Sequence, residues 1–132
     1  MKKEKSIVCL IDDDEVYQFI FRRQMEISNL ASDIQIFSNG QKGFDYLELL
    51  VKTPKELPSY IFLDINMPIM DGWQFLDKFL TLDNQLTKNI NIYMVTSSID
   101  ERDKLKAINI PQVKEYLVKP IAEAKIQEVF NY

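Results

Sequence analysis

Four short apolar runs in this chain each stop at an acidic, hydroxyl or lysine residue. The runs cover residues 7–11, 60–63, 92–95 and 116–118. The polar residues that follow them are Asp12, Asp13, Asp14, Asp64, Thr96 and Lys119. If the runs are parallel strands of one sheet, these side chains meet at its carboxyl edge, which is where open α/β sheets bind ligands.

Strand-like and helix-like patterns alternate along the chain, which favours βαβ units and a parallel sheet. We predict strands over residues 6–11, 33–37, 60–64, 91–95 and 115–118. We predict helices over residues 15–27, 41–51, 73–82, 101–108 and 121–130. The fold class is therefore α/β, a doubly wound five-stranded parallel sheet flanked by five helices. In the strand order 2-1-3-4-5, the first and third strands are neighbours at the switch point.

Apolar spacing predicts which helix faces pack against the sheet. In the first helix the predicted stripe consists of Val16, Phe19, Ile20 and Arg23. Tyr17 and Phe21 lie off that stripe, so we expect them to be partly exposed. In the third helix the predicted packing face consists of Trp73, Leu76 and Leu80. Asp14 and Asp100 are candidate N-caps.

Length and composition limit the classes of protein that fit. The 132 residues suit one domain spanning residues 1–132, and we expect no output domain because few residues follow Pro120. A net charge of -4 without a basic stripe argues against nucleic-acid binding. The sequence offers no bilayer-spanning stretch or secretory signal, and its single Cys9 fits a reducing compartment. We therefore expect a cytoplasmic protein without membrane contact.

The chain has no histidine, which excludes Ser-His-Asp and Cys-His catalysis. The acids at the predicted sheet edge suggest other chemistry. Two carboxylates about 4 Å apart repel by roughly 4 kcal/mol at an effective dielectric of about 20. A bound Mg²⁺ would remove the repulsion between Asp12, Asp13 and Asp64, and Lys119 would offset part of it.

A carboxylate is also a potential covalent nucleophile, forming an aspartyl phosphate. Asp64 is the best candidate because it ends the central strand. Thr96 could donate a hydrogen bond to one phosphoryl oxygen, and Lys119 could neutralise another. Any phosphohistidine in such a reaction would have to come from another molecule.

The segments that carry this chemistry resemble the receiver domain of two-component response regulators, the CheY-like family. They are IDDD at residues 11–14, FLDINMPIMDG at 62–72, MVTS at 94–97 and YLVKP at 116–120. The resemblance implies that Asp64 is the phosphoacceptor, that Asp13 is a direct metal ligand, and that Asp12 is its acidic companion. It also implies a metal contact from the backbone carbonyl of Asn66, with Mg²⁺ or Mn²⁺ as the cofactor.

Further implications of the resemblance concern switching and partners. Thr96 matches the switch hydroxyl, Lys119 the phosphate-binding lysine and Tyr116 the aromatic switch, and the Lys119–Pro120 bond matches one that is often cis. The phosphodonor would be a histidine kinase or a histidine phosphotransfer protein. An output protein would bind the face formed by the fourth helix, the fifth strand and the fifth helix, and the domain would be a monomer or weak dimer. Glu115 departs from the small residue that often precedes the aromatic switch.

Two other functions remain open from the sequence. One is a phosphorylation-independent interaction module that keeps the fold without the chemistry. The other, less favoured, is an aspartyl-phosphate phosphatase of the haloacid-dehalogenase type. Such enzymes carry a second aspartate two residues after the nucleophile as general acid, where this chain has Asn66. We therefore expect no enzyme activity beyond the protein's own phosphorylation and dephosphorylation.

Overall fold

Five strands form one parallel sheet in the computed structural model, which describes residues 5–130. They are β1 (Ser6–Ile11), β2 (Ala31–Phe37), β3 (Tyr60–Leu63), β4 (Asn91–Thr96) and β5 (Val113–Val118). Their order across the sheet is β2-β1-β3-β4-β5. This confirms the predicted fold class and places β3, which is buried along its whole length, at the centre.

The helices follow the predicted alternation with one addition. They are α1 (Glu15–Ser28), α2 (Gly40–Leu50), α3 (Gly72–Phe79), α4 (Asn84–Thr87), α5 (Glu101–Ile108) and α6 (Glu123–Phe130). The addition is α4, a single turn that begins at the cap Asp83 and is too short to produce a periodic pattern. The fourth and fifth helices expected from the sequence are therefore α5 and α6.

The helices cover both faces of the sheet, as right-handed crossovers require. One apolar cluster joins α2, α3 and α5 to alternate strand residues that include Cys9, Ile61 and Met94. The other joins α1 and α6 to the intervening residues, among them Leu10 and Phe62. Because consecutive residues of a strand point to opposite faces, β1 and β3 supply both clusters.

The predicted packing face of α1 is wrong. Val16 and Phe19 are 69% and 67% exposed, and Ile20 and Arg23 also face solvent. The buried side chains of α1 are Tyr17, Phe21 and Met25. These three are spaced four residues apart, so α1 carries two apolar stripes at helical spacing, and periodicity alone does not decide which one meets the sheet.

The predicted face of α3 is wrong in part. Leu76 is buried as predicted, but Leu80 is 48% exposed because α3 ends at Phe79 and Leu80 is its C-cap. Trp73 is half-buried, and the Nζ of Lys106 from α5 lies 4.5 Å from the centre of its ring. This cation–π contact joins α3 to α5.

Side-chain caps fix the helix starts next to the carboxyl edge of the sheet. Asp14 accepts hydrogen bonds from the backbone amides of Val16 and Tyr17, and Asp100 accepts one from the amide of Arg102. Both caps were predicted. Across residues 5–130, no helix combines the length and the apolar character that crossing a bilayer demands.

Candidate functional site

The register between β1 and β3 brings two carboxylates to one point. Ile11 is paired with Leu63, and the backbone amide of Asp64 donates a 2.9 Å hydrogen bond to the carbonyl of Ile11. Asp12 and Asp64 are the next residues of their strands, so they leave the sheet side by side. Asp12 is fully buried and Asp64 is 6% exposed.

Lys119 reaches the same point from β5. Its backbone amide donates a 2.9 Å hydrogen bond to the carbonyl of Thr96, which holds the end of β5 against β4. The Nζ atom lies 2.7 Å from Oδ2 of Asp12 and 3.3 Å from Oδ2 of Asp64. Two carboxylates from neighbouring strands therefore share one ammonium group.

Burial and charge act in opposite directions on this group of residues. Burial raises the pKa of Asp12 above its ordinary value, although hydrogen bonds from Lys119 and the amide of Asp14 oppose the shift. Burial alone would lower the pKa of Lys119, but the hydrogen bonds and charges of Asp12 and Asp64 outweigh it and raise that pKa. The ammonium form is therefore favoured, and its one charge faces two carboxylates.

The acids at this edge also fit a hard divalent cation. One carboxylate oxygen from each of Asp12, Asp13 and Asp64 lies within 4.8 Å of the other two. Asp13 is exposed, so the cluster opens to solvent on that side. Mg²⁺ is bound in proteins by carboxylate, water and phosphate oxygens, and the carboxylate oxygens of this cluster are donors of that kind.

Local backbone contacts orient the Asp64 carboxylate. Its Oδ1 accepts a 2.8 Å hydrogen bond from the amide of Ile65, which leaves Oδ2 toward Lys119. The following loop folds back so that the amide of Gly72 donates a 2.8 Å hydrogen bond to the carbonyl of Ile65. A Cβ at Gly72 would lie 2.3 Å from the backbone oxygen of Asp64. Only glycine permits this close approach.

Thr96 ends β4 with a buried hydroxyl whose Oγ1 accepts a 3.2 Å hydrogen bond from the amide of Ser98. The Ser98 hydroxyl donates to Oδ2 of Asp103 at 2.8 Å. The phenol of Tyr116 donates to the Ser98 carbonyl at 2.9 Å. The loop between β4 and α5 is therefore connected to both predicted switch residues.

The remaining predicted residues lie around this centre. Asn66 is exposed in the loop after β3, and the Lys119–Pro120 peptide bond is cis, as the resemblance implied. Glu115 forms an ion pair with Lys125 of α6. The roles assigned to Asp12, Asp13, Asp64, Asn66, Thr96, Tyr116 and Lys119 stay predictions; the geometry gives their positions.

Two residues beside the site were missed in the sequence. The buried ring of Tyr17 has its centre 4.7 Å from Nζ of Lys119. Gln18 donates a 2.6 Å hydrogen bond from its side chain to the backbone carbonyl of Asp12. The four-residue spacing from Tyr17 to Phe21 was the signal for a buried Tyr17, whereas nothing local marks Gln18.

Comparison with known proteins gives one consistent family. A family model described as response regulator receiver domain matches residues 8–131. A crystal structure of a two-component response regulator from Cytophaga hutchinsonii superposes with a TM-score of 0.89 and 29% identity. That match covers 97% of this chain and 96% of the other.

Two curated relatives are similar over nearly all of the chain. A probable methanogenesis regulatory protein of Methanothrix harundinacea is 24% identical over 96% of this chain and 82% of its own length. A probable C4-dicarboxylate response regulator of Halalkalibacterium halodurans is 30% identical over 96% of this chain. The aligned part is 51% of that second regulator, so the chain spans about half of its length.

Proposed function

Because the chain belongs to the response regulator receiver domain family, we propose that Asp64 accepts a phosphoryl group from the phosphohistidine of a histidine kinase or phosphotransfer protein. The observation that carries the proposal is the contact of one lysine with two buried carboxylates, 2.7 Å from Asp12 and 3.3 Å from Asp64. A buried carboxylate pair with this geometry is costly for a fold unless it serves a ligand.

In the proposed reaction an oxygen of the Asp64 carboxylate attacks the phosphorus of the donor. The phosphorus–nitrogen bond to the imidazole breaks, the nitrogen keeps the electron pair, and the acyl phosphate forms. Lys119 pairs with one phosphoryl oxygen, and the hydroxyl of Thr96 donates a hydrogen bond to another. This is catalysis by positioning and charge neutralisation, which phosphoryl transfer mainly requires.

The residues that would hold Mg²⁺ or Mn²⁺ are Asp12, Asp13 and Asp64, together with the backbone carbonyl of Asn66. For the three aspartates, this proposal is supported by the clustering of their carboxylate oxygens within 4.8 Å of one another. A bound divalent cation supplies charge neutralisation for the acids and for the incoming phosphoryl oxygens.

The proposed output is a change in partner binding at the face of α5, β5 and α6. When the Thr96 hydroxyl turns to the phosphoryl group, it leaves the Ser98 amide, and the loop that also binds Tyr116 is released. Exposed apolar side chains, Ile99 at 83% and Val118 at 45%, lie beside Tyr116 on this face. An output protein that binds one arrangement of this loop more tightly increases the population of that arrangement.

Intact-mass spectrometry after incubation with acetyl phosphate and Mg²⁺ tests the proposal. We expect the mass of one added phosphoryl group on the protein, no addition to Asp64→Asn, and no addition when the cation is chelated. Asp77→Asn is the matched control, because Asp77 is an exposed aspartate on α3 and its variant is expected to be labelled normally.

This labelling experiment and an assay of phosphatase activity separate the alternative functions. A folded protein that takes up no phosphoryl group would contradict the proposal and favour a phosphorylation-independent interaction module. Continuous release of phosphate from a small phosphomonoester would favour the phosphatase. The proposal expects neither, because it limits the chemistry of this chain to its own aspartate.

A further inference from the structure

The ring of Tyr17 closes one side of the space occupied by the Lys119 ammonium. Tyr17 belongs to α1, is 4% exposed, and packs in the cluster that joins α1 and α6 to the sheet. Its ring centre lies 4.7 Å from Nζ of Lys119, within the range of a cation–π contact. The lysine side chain itself is only 12% exposed.

This contact bears on geometry because lysine is flexible. Its ammonium sits on a four-carbon stem with several rotatable bonds, so two carboxylates alone leave it free to swing. Asp12 and Asp64 attract Nζ from the sheet edge, and the Tyr17 ring contacts it from α1. The three contacts come from three separate elements, so together they restrict the position of the ammonium.

The hydroxyl of Tyr17 takes no part in this arrangement. It is buried and has no hydrogen-bond partner within residues 5–130. A buried hydroxyl without a partner is normally unfavourable, so the contribution of this side chain is its aromatic face and not its polar group.

We propose that the Tyr17 ring is a positioning element that holds the Lys119 ammonium against Asp12 and Asp64 for phosphoryl transfer. The inference rests on the proposed function for its consequence, although the contact itself is independent of it. Tyr17 acts through Lys119 and touches neither the phosphoryl donor nor the acceptor oxygen in this proposal.

The test compares Tyr17→Phe, which keeps the ring, with Tyr17→Leu, which keeps apolar bulk without a π face. With acetyl phosphate and Mg²⁺ as the probe, we expect Tyr17→Phe to be labelled at the wild-type rate. We expect labelling of Tyr17→Leu to be about tenfold slower, an effect between those of an exposed and a fully desolvated cation–π contact. An equal loss of rate in both variants would overturn the assignment, because it would point to the hydroxyl.

A double-mutant cycle with Lys119→Met separates positioning from a general packing defect. If the ring acts through the lysine, Tyr17→Leu has little further effect on the labelling rate once Lys119 is methionine. If the double variant instead lost labelling rate by the product of the two single losses, Tyr17 would act independently of Lys119, which overturns the inference. Mg²⁺ binding is measured as the rise in thermal midpoint on addition of Mg²⁺. We expect the same rise in Tyr17→Leu and in the wild type, whereas a collapsed site would bind Mg²⁺ more weakly and give a smaller rise.

The same four proteins give a second cycle on the free energy of unfolding, which needs no phosphorylation. We expect the two substitutions to be coupled, because each removes the same contact. If the wild type were not labelled but this coupling were present, the proposed function would fail and the inference would be reduced to a structural contact, which overturns its positioning role. If the two substitutions changed the free energy of unfolding additively, the contact between Tyr17 and Lys119 would be overturned as well.

Discussion

The phenol of Tyr116 donates a 2.9 Å hydrogen bond to the backbone carbonyl of Ser98, the residue whose amide donates to Oγ1 of Thr96 at 3.2 Å. Ser98 thus contacts both predicted switch residues through its two backbone polar groups. A change at Thr96 has a direct route to Tyr116 that runs through one peptide segment.

Replacing Tyr116 with phenylalanine removes this hydrogen bond and keeps the ring. We expect the free energy of unfolding to fall by about 0.5–1.5 kcal/mol, the usual net value of one hydrogen bond. Amide hydrogen exchange in residues 97–100 is expected to become faster. Tyr93→Phe on the adjacent strand serves as control, and equal protection of the loop in wild type and Tyr116→Phe would contradict the prediction.

Replacing Asp12 with asparagine is expected to stabilise the metal-free protein. The pKa of Asp12 is higher in the folded protein than in the unfolded chain. Asp12 therefore contributes to the free energy of unfolding at pH values below its unfolded pKa, where it is protonated, and this contribution is lost as the pH rises through its folded pKa. At neutral pH the charge therefore destabilises the fold. We expect the free energy of unfolding to rise by roughly 1–2 kcal/mol. This is less than the roughly 4 kcal/mol of repulsion between two unshielded carboxylates, because Lys119 loses one of its partners in the variant.

Urea denaturation in the presence of a chelator measures this gain, and Asp77→Asn is the control for a change of one exposed charge. Stabilisation by added Mg²⁺ is expected to shrink in Asp12→Asn. A less stable Asp12→Asn protein under chelation would show that the contact with Lys119 outweighs the burial of the charge.

Ile69 has a left-handed backbone conformation with φ of 70°, which a β-branched residue rarely adopts. Its side chain is 79% exposed, so packing does not compensate the strain. Ile69→Asn is expected to raise the free energy of unfolding by about 1 kcal/mol, because asparagine tolerates this conformation. Ile99→Asn, at a residue that is 83% exposed and outside the left-handed region, is expected to have little effect. Equal changes in thermal midpoint would contradict the strain argument.

Stability is expected to decline in alkaline solution through Tyr46. Burial of the phenol is the main cause that raises the pKa of Tyr46, and the nearby carboxylates of Asp33 and Glu56 add to it. In the unfolded chain the phenol of Tyr46 ionises near pH 10. The contribution of the neutral phenol to the free energy of unfolding is therefore complete below about pH 10 and is lost as the pH rises above it. Urea titrations on either side of that pH are expected to show a shallower decline for Tyr46→Phe. Phe19→Tyr, which adds an exposed phenol, is expected to leave the decline unchanged.

The sheet and the acidic cluster were predictable because their determinants are local. Four of the five strands contain an apolar run that stops at a polar residue, and parallel strands place those stops at one edge. That reasoning located Asp12, Asp64 and Lys119 across a separation of more than fifty residues without any knowledge of side-chain contacts.

The parts that could not be predicted depend on tertiary choices between equivalent patterns. The stripe that includes Val16 and Phe19 and the stripe that includes Tyr17 and Phe21 both have helical spacing. Their burial is decided by how α1 lies on β1 and α6. The positive φ of Ile69 is likewise imposed by closure of the loop after β3, because isoleucine has no intrinsic preference for it.

Trp73 is the only tryptophan of the chain, and it lies beneath the ammonium of Lys106. Indole emission responds to a neighbouring charge, so any displacement of α5 changes the fluorescence of the unlabelled protein. Trp73 on α3 is therefore an intrinsic optical reporter for α5, the helix of the proposed output face that carries Lys106, and movement of α5 away from α3 is measurable in real time without an attached dye.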